Sequence, residues 1–343
     1  MKKILFSTAF LIAGLLTISS ALAQDDDHKK DHKKEEPRFK KTKSYTKSYN
    51  LSSNDKVKLS NQFGEMKLNT WDKNEIKVDV TIIGKSDDEP RAQEIVDRIS
   101  INDSKEGSTV SFKTKFADEK EKKDKENKKE HRNEGMEINY MVYLPATAAL
   151  DADNQFGKMI VPDYRGEAEI TCKFGSLTAG KISNAKEVTV EFGQGNIEQV
   201  NGGKLNIKFS EGTVNKLGGD VKTDLEFSQV KLNLDNDIKS LDLKNSYSTV
   251  YLDVEKNFSA SYDISTSFGN FSNKTSFDIK KAGKDDDNKR HYGPEFNHKY
   301  SGTSGSGGAK LKINSSFGEI VLGHDLQVDL SKKNKSKSKT RSI

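Results

Sequence analysis

A phenylalanine returns along this chain at an almost fixed interval. Phe156, Phe174, Phe192, Phe209 and Phe227 follow one another at 18, 18, 17 and 18 residues, and Tyr247 and Phe268 extend the series at 20 and 21. Glycine follows Phe156, Phe174, Phe192 and Phe268, and serine follows Phe209 and Phe227. So short a period leaves room for two or three short strands per repeat. Each such unit can bury its apolar face only against its neighbours, so the repeats must stack.

The positions before each aromatic carry the same message. Two residues earlier stand Cys172, Val190, Ile207, Leu225, Asn245 and Thr266; four earlier stand Ile170, Val188, Leu205, Thr223, Leu243 and Ile264. Even offsets in a strand share a face, so the aromatic and these two partners are expected to point inward together. On that reading an aromatic changed to alanine costs about 3–5 kcal/mol. Leu311, Ile313, Ser315 and Phe317 repeat the pattern in a late rung. The residue just before each aromatic reads Lys173, Glu191, Lys208, Glu226. In a parallel stack these become neighbours about 4.8 Å apart, and alternating sign sets each charge between opposites. The glycines are expected at corners, with Gly195-Asn196, Gly202-Gly203, Gly212 and Gly218-Gly219 as further bends.

The expected fold is therefore all-β, a parallel β-solenoid of β-helix type with one short N-terminal helix and charged loop insertions. An antiparallel sandwich or meander is the competing fold. It explains the alternation but not the constant return of one residue type.

The chain divides by composition. Residues 1–23 read as a signal peptide: Lys2 and Lys3, an apolar run from Ile4 to Leu16, then Ala21-Leu22-Ala23 before Gln24. The run is too short for an ordinary span of about 20 residues. Residues 24–43 read as a disordered linker rich in Asp, Lys, Glu and His. Residues 44–150 form an N-terminal β-rich part, and 151–331 the main repeats with an irregular insertion at 281–309. Residues 332–343 form a basic, disordered tail. Within 44–150, Val57, Leu59, Asn61 and Phe63 alternate, as do Ile76, Val78, Val80 and Ile82. Ala92, Ile95, Val96 and Ile99 share a helical face after Pro90, so a helix over 88–99 is expected, shielding an open end of the stack. Val110 and Phe112 mark another strand, and Ile138 to Leu144 a further one that ends at Pro145. Between them, 116–134 is almost entirely charged and polar and reads as a loop.

Asn61-Gln62-Phe63-Gly64, Asn154-Gln155-Phe156-Gly157, Ser267-Phe268-Gly269 and Ser316-Phe317-Gly318, with Tyr143-Leu144-Pro145 before the main repeats, carry a family likeness. Together with the leader they resemble the bacterial putative-adhesin family of unknown function, common in Bacteroidetes-like envelopes. The resemblance covers roughly 50–330. It implies stacked β-rungs and an envelope location, and it carries over no ligand-binding or catalytic residue. The insert at 116–134 and the break before Phe317 depart from the compact pattern.

No catalytic, cofactor or metal residue is assigned. The one cysteine, Cys172, rules out an internal disulfide and reads as a buried thiol. Glu169, Glu187, Glu191, Asp224 and Glu226 are the outward acids that a carbohydrate-cleaving site would draw on. They are interspersed with lysine and read as solvated surface. The six histidines, His28, His32, His131, His291, His298 and His324, form no metal motif. Asp285-Asp286-Asp287 lacks the spacing of a calcium loop, and Gly302 to Gly308 lacks the end of a phosphate loop. Loss of Lys2 and Lys3 takes the formal charge from +5 to +3, which gives no reason to expect nucleic acid. The lysines from Lys332 to Lys339 read as a solubilising tail, with an anionic surface as the alternative they would suit.

The sequence points to an exported, non-enzymatic structural or binding protein of a Gram-negative cell envelope, adhesin-like, in the periplasm or on the outer surface. Envelope glycan, lipopolysaccharide and membrane protein are the candidate partners, with no transmembrane anchor once the leader is removed. The alternatives are a carbohydrate-active β-solenoid enzyme and an envelope assembly or stress accessory protein.

Overall fold

Period-two burial runs through almost every segment of the chain, and the chain accordingly forms strands. A computed structural model describes residues 36–117, 133–282 and 296–330. The leader, most of the linker, the centres of the two charged insertions and the basic tail lie outside the described residues. So do His28, His32, His131, His291 and Asp285-Asp286-Asp287.

The N-terminal part holds β1 (Phe39–Asn50), β2 (Lys56–Gln62), β3 (Met66–Trp71), β4 (Glu75–Ser86), α1 (Glu89–Asp97), β5 (Ile99–Glu106), β6 (Thr109–Phe116) and β7 (Gly135–Pro145). The repeats begin with β8 (Ala149–Gln155), β9 (Lys158–Val161), β10 (Ala168–Lys173), β11 (Ser176–Ile182), β12 (Ala185–Glu191) and β13 (Gln194–Lys208). They continue through β14 (Glu211–Glu226), β15 (Gln229–Ser246), β16 (Thr249–Asp253), β17 (Ala260–Ser267) and β18 (Asn270–Asn273). β19 (Ile279–Lys281), β20 (Asn297–Ser304), β21 (Ala309–Ser316) and β22 (Glu319–Gly323) close the described chain.

All 22 strands join in one sheet of mixed direction. Through its middle the pairing is parallel. β2, β8, β10, β12 and the C-terminal halves of β13, β14 and β15 lie side by side in that order. β3, β9, β11 and the N-terminal halves of the same long strands form a second row. Strands β13 and β14 turn from one row to the other at Gly202-Gly203 and Gly218-Gly219. Gly203 has φ +75°, and a Cβ there would sit 2.1 Å from the Ala185 carbonyl oxygen. The purely parallel arrangement expected from the repeat does not extend to the ends. β4 runs antiparallel to β1 and β7, β5 to β6, and β20 to β17 and β19.

The late rung is not last in space. β21 pairs with β15 on one side and β17 on the other, all parallel, and β22 lies between β16 and β18. The chain thus skips one place after β16, builds β17 to β20, and returns to fill it. Sequence order therefore mislocates the Phe317 rung, which sits inside the stack.

Helix α1 buries Ala92, Ile95 and Val96 against β4, β1 and β5; among the described residues the edges of β1 and β5 stay open beside it. β1 begins inside the stretch read as linker and carries Lys40, Lys41, Lys43 and Lys47 along an edge, charges that discourage strand addition. Tyr45 and Tyr49 on β1 both donate hydrogen bonds to Asp103 on β5, tying that edge down. At the far end β20 occupies part of the expected irregular insertion, with Tyr300 packed on the core.

The core lies between the two rows. Residues two and four before each rung aromatic are buried, as the pattern predicts: Ile170 and Cys172, Val188 and Val190, Leu205 and Ile207. Gly195 and Gly212, expected as bends, are interior strand positions. Their missing side chains leave room for Val190 and Ile207, whose nearest atoms would lie 3.1 and 2.7 Å from an added Cβ.

Candidate functional site: an exposed aromatic ladder

The rung aromatics do not point inward. Phe63, Phe156, Phe174, Phe192, Phe209, Phe227, Tyr247, Phe268 and Phe317 all hold φ between 47° and 63°, the left-handed region. A strand that reaches such a residue turns, and its period-two phase is lost there. Inward positions stand two and four before the aromatic, then three and five after it, as with Leu177 and Ala179 after Phe174. The aromatic is the corner and its ring faces out. Rings from Phe156 to Phe296 are 45–54% exposed. This corrects the expected inward face. Left-handed backbone at a residue with a Cβ costs about 1–3 kcal/mol. Two things offset that cost at each corner. The corner N–H bonds to the next rung, as Phe174 N to the Glu191 carbonyl at 2.9 Å. The ring stacks on its neighbours, a gain of about 0.5–1.5 kcal/mol per pair.

The stack is continuous. In spatial order it runs Phe63, Phe156, Phe174, Phe192, Phe209, Phe227, Tyr247, Phe317, Phe268, Phe296. Centroids are 4.7–5.0 Å apart and planes lie within 18° of parallel. Phe116 closes one end edge-on to Phe63 at 5.9 Å. Nine steps of strand spacing make an apolar stripe roughly 43 Å long. Each interior ring has a neighbour on both faces, so only ring edges meet solvent.

The residue after each aromatic explains the glycines. At Gly157, Gly175 and Gly193 an added Cβ would fall 1.9–2.0 Å from the carbonyl oxygen of the corner glycine one rung back. Close approach, not positive φ, demands glycine there. Further along the stack serine replaces it. The Ser210, Ser228 and Ser248 hydroxyls accept from the backbone N–H groups of Gly193, Ser210 and Ser228 at 3.0, 3.1 and 3.0 Å. An open groove borders the ladder here, floored by Ser210 and Ser228 and walled by Phe209, Phe227 and Tyr247.

Polar side chains flank the ladder on both sides. Lys173, Glu191, Lys208 and Glu226 line up in register as expected. Lys173 pairs with Glu191 at 3.0 Å and Lys208 with Glu226 at 2.8 Å. Beyond the corners stand Ser176, Gln194, Glu211 and Gln229, also in register.

The carboxylates weighed for chemistry are scattered among partners. Lys186 lies 2.8 Å from Glu169 and holds its carboxyl below the usual range. Asn206 donates to Glu187 at 2.6 Å, and Lys208 meets both Asp224 and Glu226. Cys172 is buried, and burial with Asp153 nearby pushes its thiol up to about 12. His298 lies on β20, and His324 follows β22 with its Nδ1 2.7 Å from the Val254 carbonyl. Among the described residues no group of three or more His, Cys, Asp and Glu converges on a metal position, and no helix is long and apolar enough to cross a membrane.

No family model matches the chain, and no curated protein matches it. Solved structures similar to it include a putative cell adhesion protein from Clostridium sporogenes, 13% identical over 83% of this chain and 100% of that chain, with a TM-score of 0.26. A putative adhesin from Bacteroides fragilis is 10% identical over 82% of this chain and 97% of that one, TM-score 0.33. A putative lipid binding protein from Parabacteroides distasonis is 11% identical over 81% and 96%, TM-score 0.29. A likeness this loose fixes neither fold nor role.

Proposed function

We propose that this protein is an exported, non-enzymatic binding and structural protein of the bacterial cell envelope. Its body is a parallel β-solenoid with antiparallel ends, and its contact surface is the aromatic ladder. The observation that carries this reading is the continuous stripe of half-exposed rings. Aromatic edges left in water over such a length are costly, and contiguous exposed apolar surface marks interaction sites. The leader-like first 23 residues support export. The commitment of the outward acids to lysine and amide partners favours a solvated face over a glycan-cleaving pair. Ring geometry also bears on the partner. Sugars stack on open aromatic faces, and in this ladder the faces are taken by neighbouring rings. Edges suit an apolar or aromatic partner surface better than glycan.

The test is retention on isolated envelopes. Asparagine tolerates left-handed backbone, so Phe174→Asn, Phe192→Asn and Phe209→Asn together keep the corners while removing three apolar edges. The triple variant should lose most envelope retention while protease accessibility on intact cells stays unchanged. Retention equal to the unsubstituted protein would remove the ladder from the binding surface. New reducing ends from envelope polysaccharide, abolished by a Glu169, Glu187 or Glu191 substitution, would favour the enzyme reading instead.

A further inference from the structure

We propose that the ladder's partner is a second copy of this chain, paired antiparallel along the aromatic edges. The inference rests on reading the ladder as the contact surface. Three observations select this occupant.

The first is periodicity. Only a surface with the same rise per step can meet successive ring edges in one register. The chain's own ladder has that rise, 4.7–5.0 Å per step.

The second is charge. A two-fold axis lying in the contact plane, crossing between the Phe192 and Phe209 rungs, runs the two ladders in opposite directions. Columns on the same side of each ladder then face one another. Glu191 meets the partner's Lys208, and Lys173 meets the partner's Glu226. Because the column alternates in register, reversing it inverts every sign. On the other flank Gln194 meets the partner's Glu211 and Ser176 the partner's Gln229, pairs able to hydrogen-bond. Moving the axis half a rung onto Phe192 would set Glu191 against the partner's Glu191 and Lys173 against the partner's Lys208. The charges thus choose one register over its neighbours. The like pair in the chosen register, Glu65 with the partner's Glu319, lies more than three rungs from the axis.

The third is area. Seven half-exposed rings fall within the overlap, Phe156, Phe174, Phe192, Phe209, Phe227, Tyr247 and Phe317; they offer roughly 700 Å² of ring surface per copy, near the 800 Å² or so per partner of a stable interface.

The experiment is sedimentation equilibrium of the full exported chain across a concentration series, with envelope retention measured in parallel. Twice the chain mass is expected at high concentration. Phe174→Asn, Phe192→Asn and Phe209→Asn together should weaken association at least about tenfold. Glu191→Lys alone sets lysine against the partner's Lys208, and Lys208→Glu alone sets glutamate against the partner's Glu191; each should weaken association. The two combined should restore it. The combined column still inverts on reversal, although the alternation within one chain is now broken, so recovery cannot come from neighbours in the same copy. This second set of variants leaves every ring in place and serves if the ring variants fold poorly. A chain that stays monomeric, with ring variants that still lose envelope retention, would overturn self-pairing and leave the ladder as contact surface for another partner. Self-association and retention both untouched by the ring variants would overturn both readings. Dimers that weaken alike in the single and combined charge variants would overturn the antiparallel register.

Discussion

Two kinds of corner turn the same ladder. At Phe156, Phe174 and Phe192 the next residue is glycine, packed so tightly on the rung before it that no side chain fits. At Phe209, Phe227 and Tyr247 the next residue is serine, and its hydroxyl is a bonded part of the corner, buried at 3–7% exposure. The ring geometry barely changes between them, with centroid steps of 4.8 Å through the first group and 4.7–5.0 Å through the second. The stacked rings and the inter-rung backbone bonds therefore set the corner, and two packing solutions satisfy it. One removes the side chain. The other adds a hydroxyl that accepts a backbone N–H and donates to a carbonyl.

The two solutions should not be interchangeable, and the largest expected effect comes from exchanging them. Gly175→Ser places a Cβ against a backbone carbonyl that cannot retreat without shifting a rung. It should cost about 3 kcal/mol or more in urea unfolding. A cost below about 1 kcal/mol would mean that the corners share one geometry.

The next effect separates the ring from the strand that leads to it. Ile207→Ala empties a fully buried position and should cost about 2–5 kcal/mol. Phe209→Ala, two residues on, removes a half-exposed ring and its stacking, and should cost only about 1–2 kcal/mol. Thermal melts of both variants would sharpen the distinction, and the reverse ranking would contradict an outward ring.

Ser228→Ala tests the second kind of corner from the other side. The Ser210 N–H loses its acceptor in a buried place, and the Glu226 carbonyl loses a donor. The expected cost is about 1–2 kcal/mol, with faster amide exchange at Ser210. No such change is expected in the glycine corners.

The smallest effect should spare the corners altogether. Glycine and serine do not titrate in acid, whereas the tie between β1 and β5 does. Burial pushes the Asp103 carboxyl up, but hydrogen bonds from Tyr45 and Tyr49 outweigh it and leave the group below its usual value. A lowered carboxyl contributes stability above its unfolded value, and that contribution is lost as pH falls through the folded one. Burial and the Asp103 hydrogen bond raise the Tyr45 hydroxyl, so its share persists through neutral pH and fades only at strongly alkaline pH. Amide exchange should therefore quicken in β1 below about pH 4 while Phe156 to Tyr247 keep their protection.

Much of this was legible in the residues. Period-two alternation located β2, β4, β10 and β12, and the helical spacing of Ala92, Ile95 and Val96 located α1. The recurrence of the aromatics marked each rung, but the corner was expected at the glycine that follows, whereas the aromatic itself is the left-handed residue. Alternation carried through the aromatic points the ring inward, whereas left-handed backbone breaks the phase there and turns it out. The signal was present: apolar residues resume three and five places after Phe156, Phe174 and Phe227, an odd step that no continuous strand produces. The order of the last rungs was not legible, because nothing in a repeat says which neighbour it will choose when the chain turns back. β1 was hidden for a different reason. It is an edge strand whose side chains mostly face water, so it lacks the apolar alternation that marks a strand. The ladder as a surface was hidden behind the inward reading, since an expected core residue cannot also be a contact residue.

The most direct measurement uses the single cysteine. In a Cys172→Ser background, Val190→Cys and Phe192→Cys place a thiol two residues apart, on either side of the predicted change of phase. Reaction with a charged thiol reagent, at dilution, should be rapid at position 192 and should wait for unfolding at position 190. Rapid reaction at 190 with protection at 192 would return the aromatics to the core and take the ladder, and the surface built on it, away.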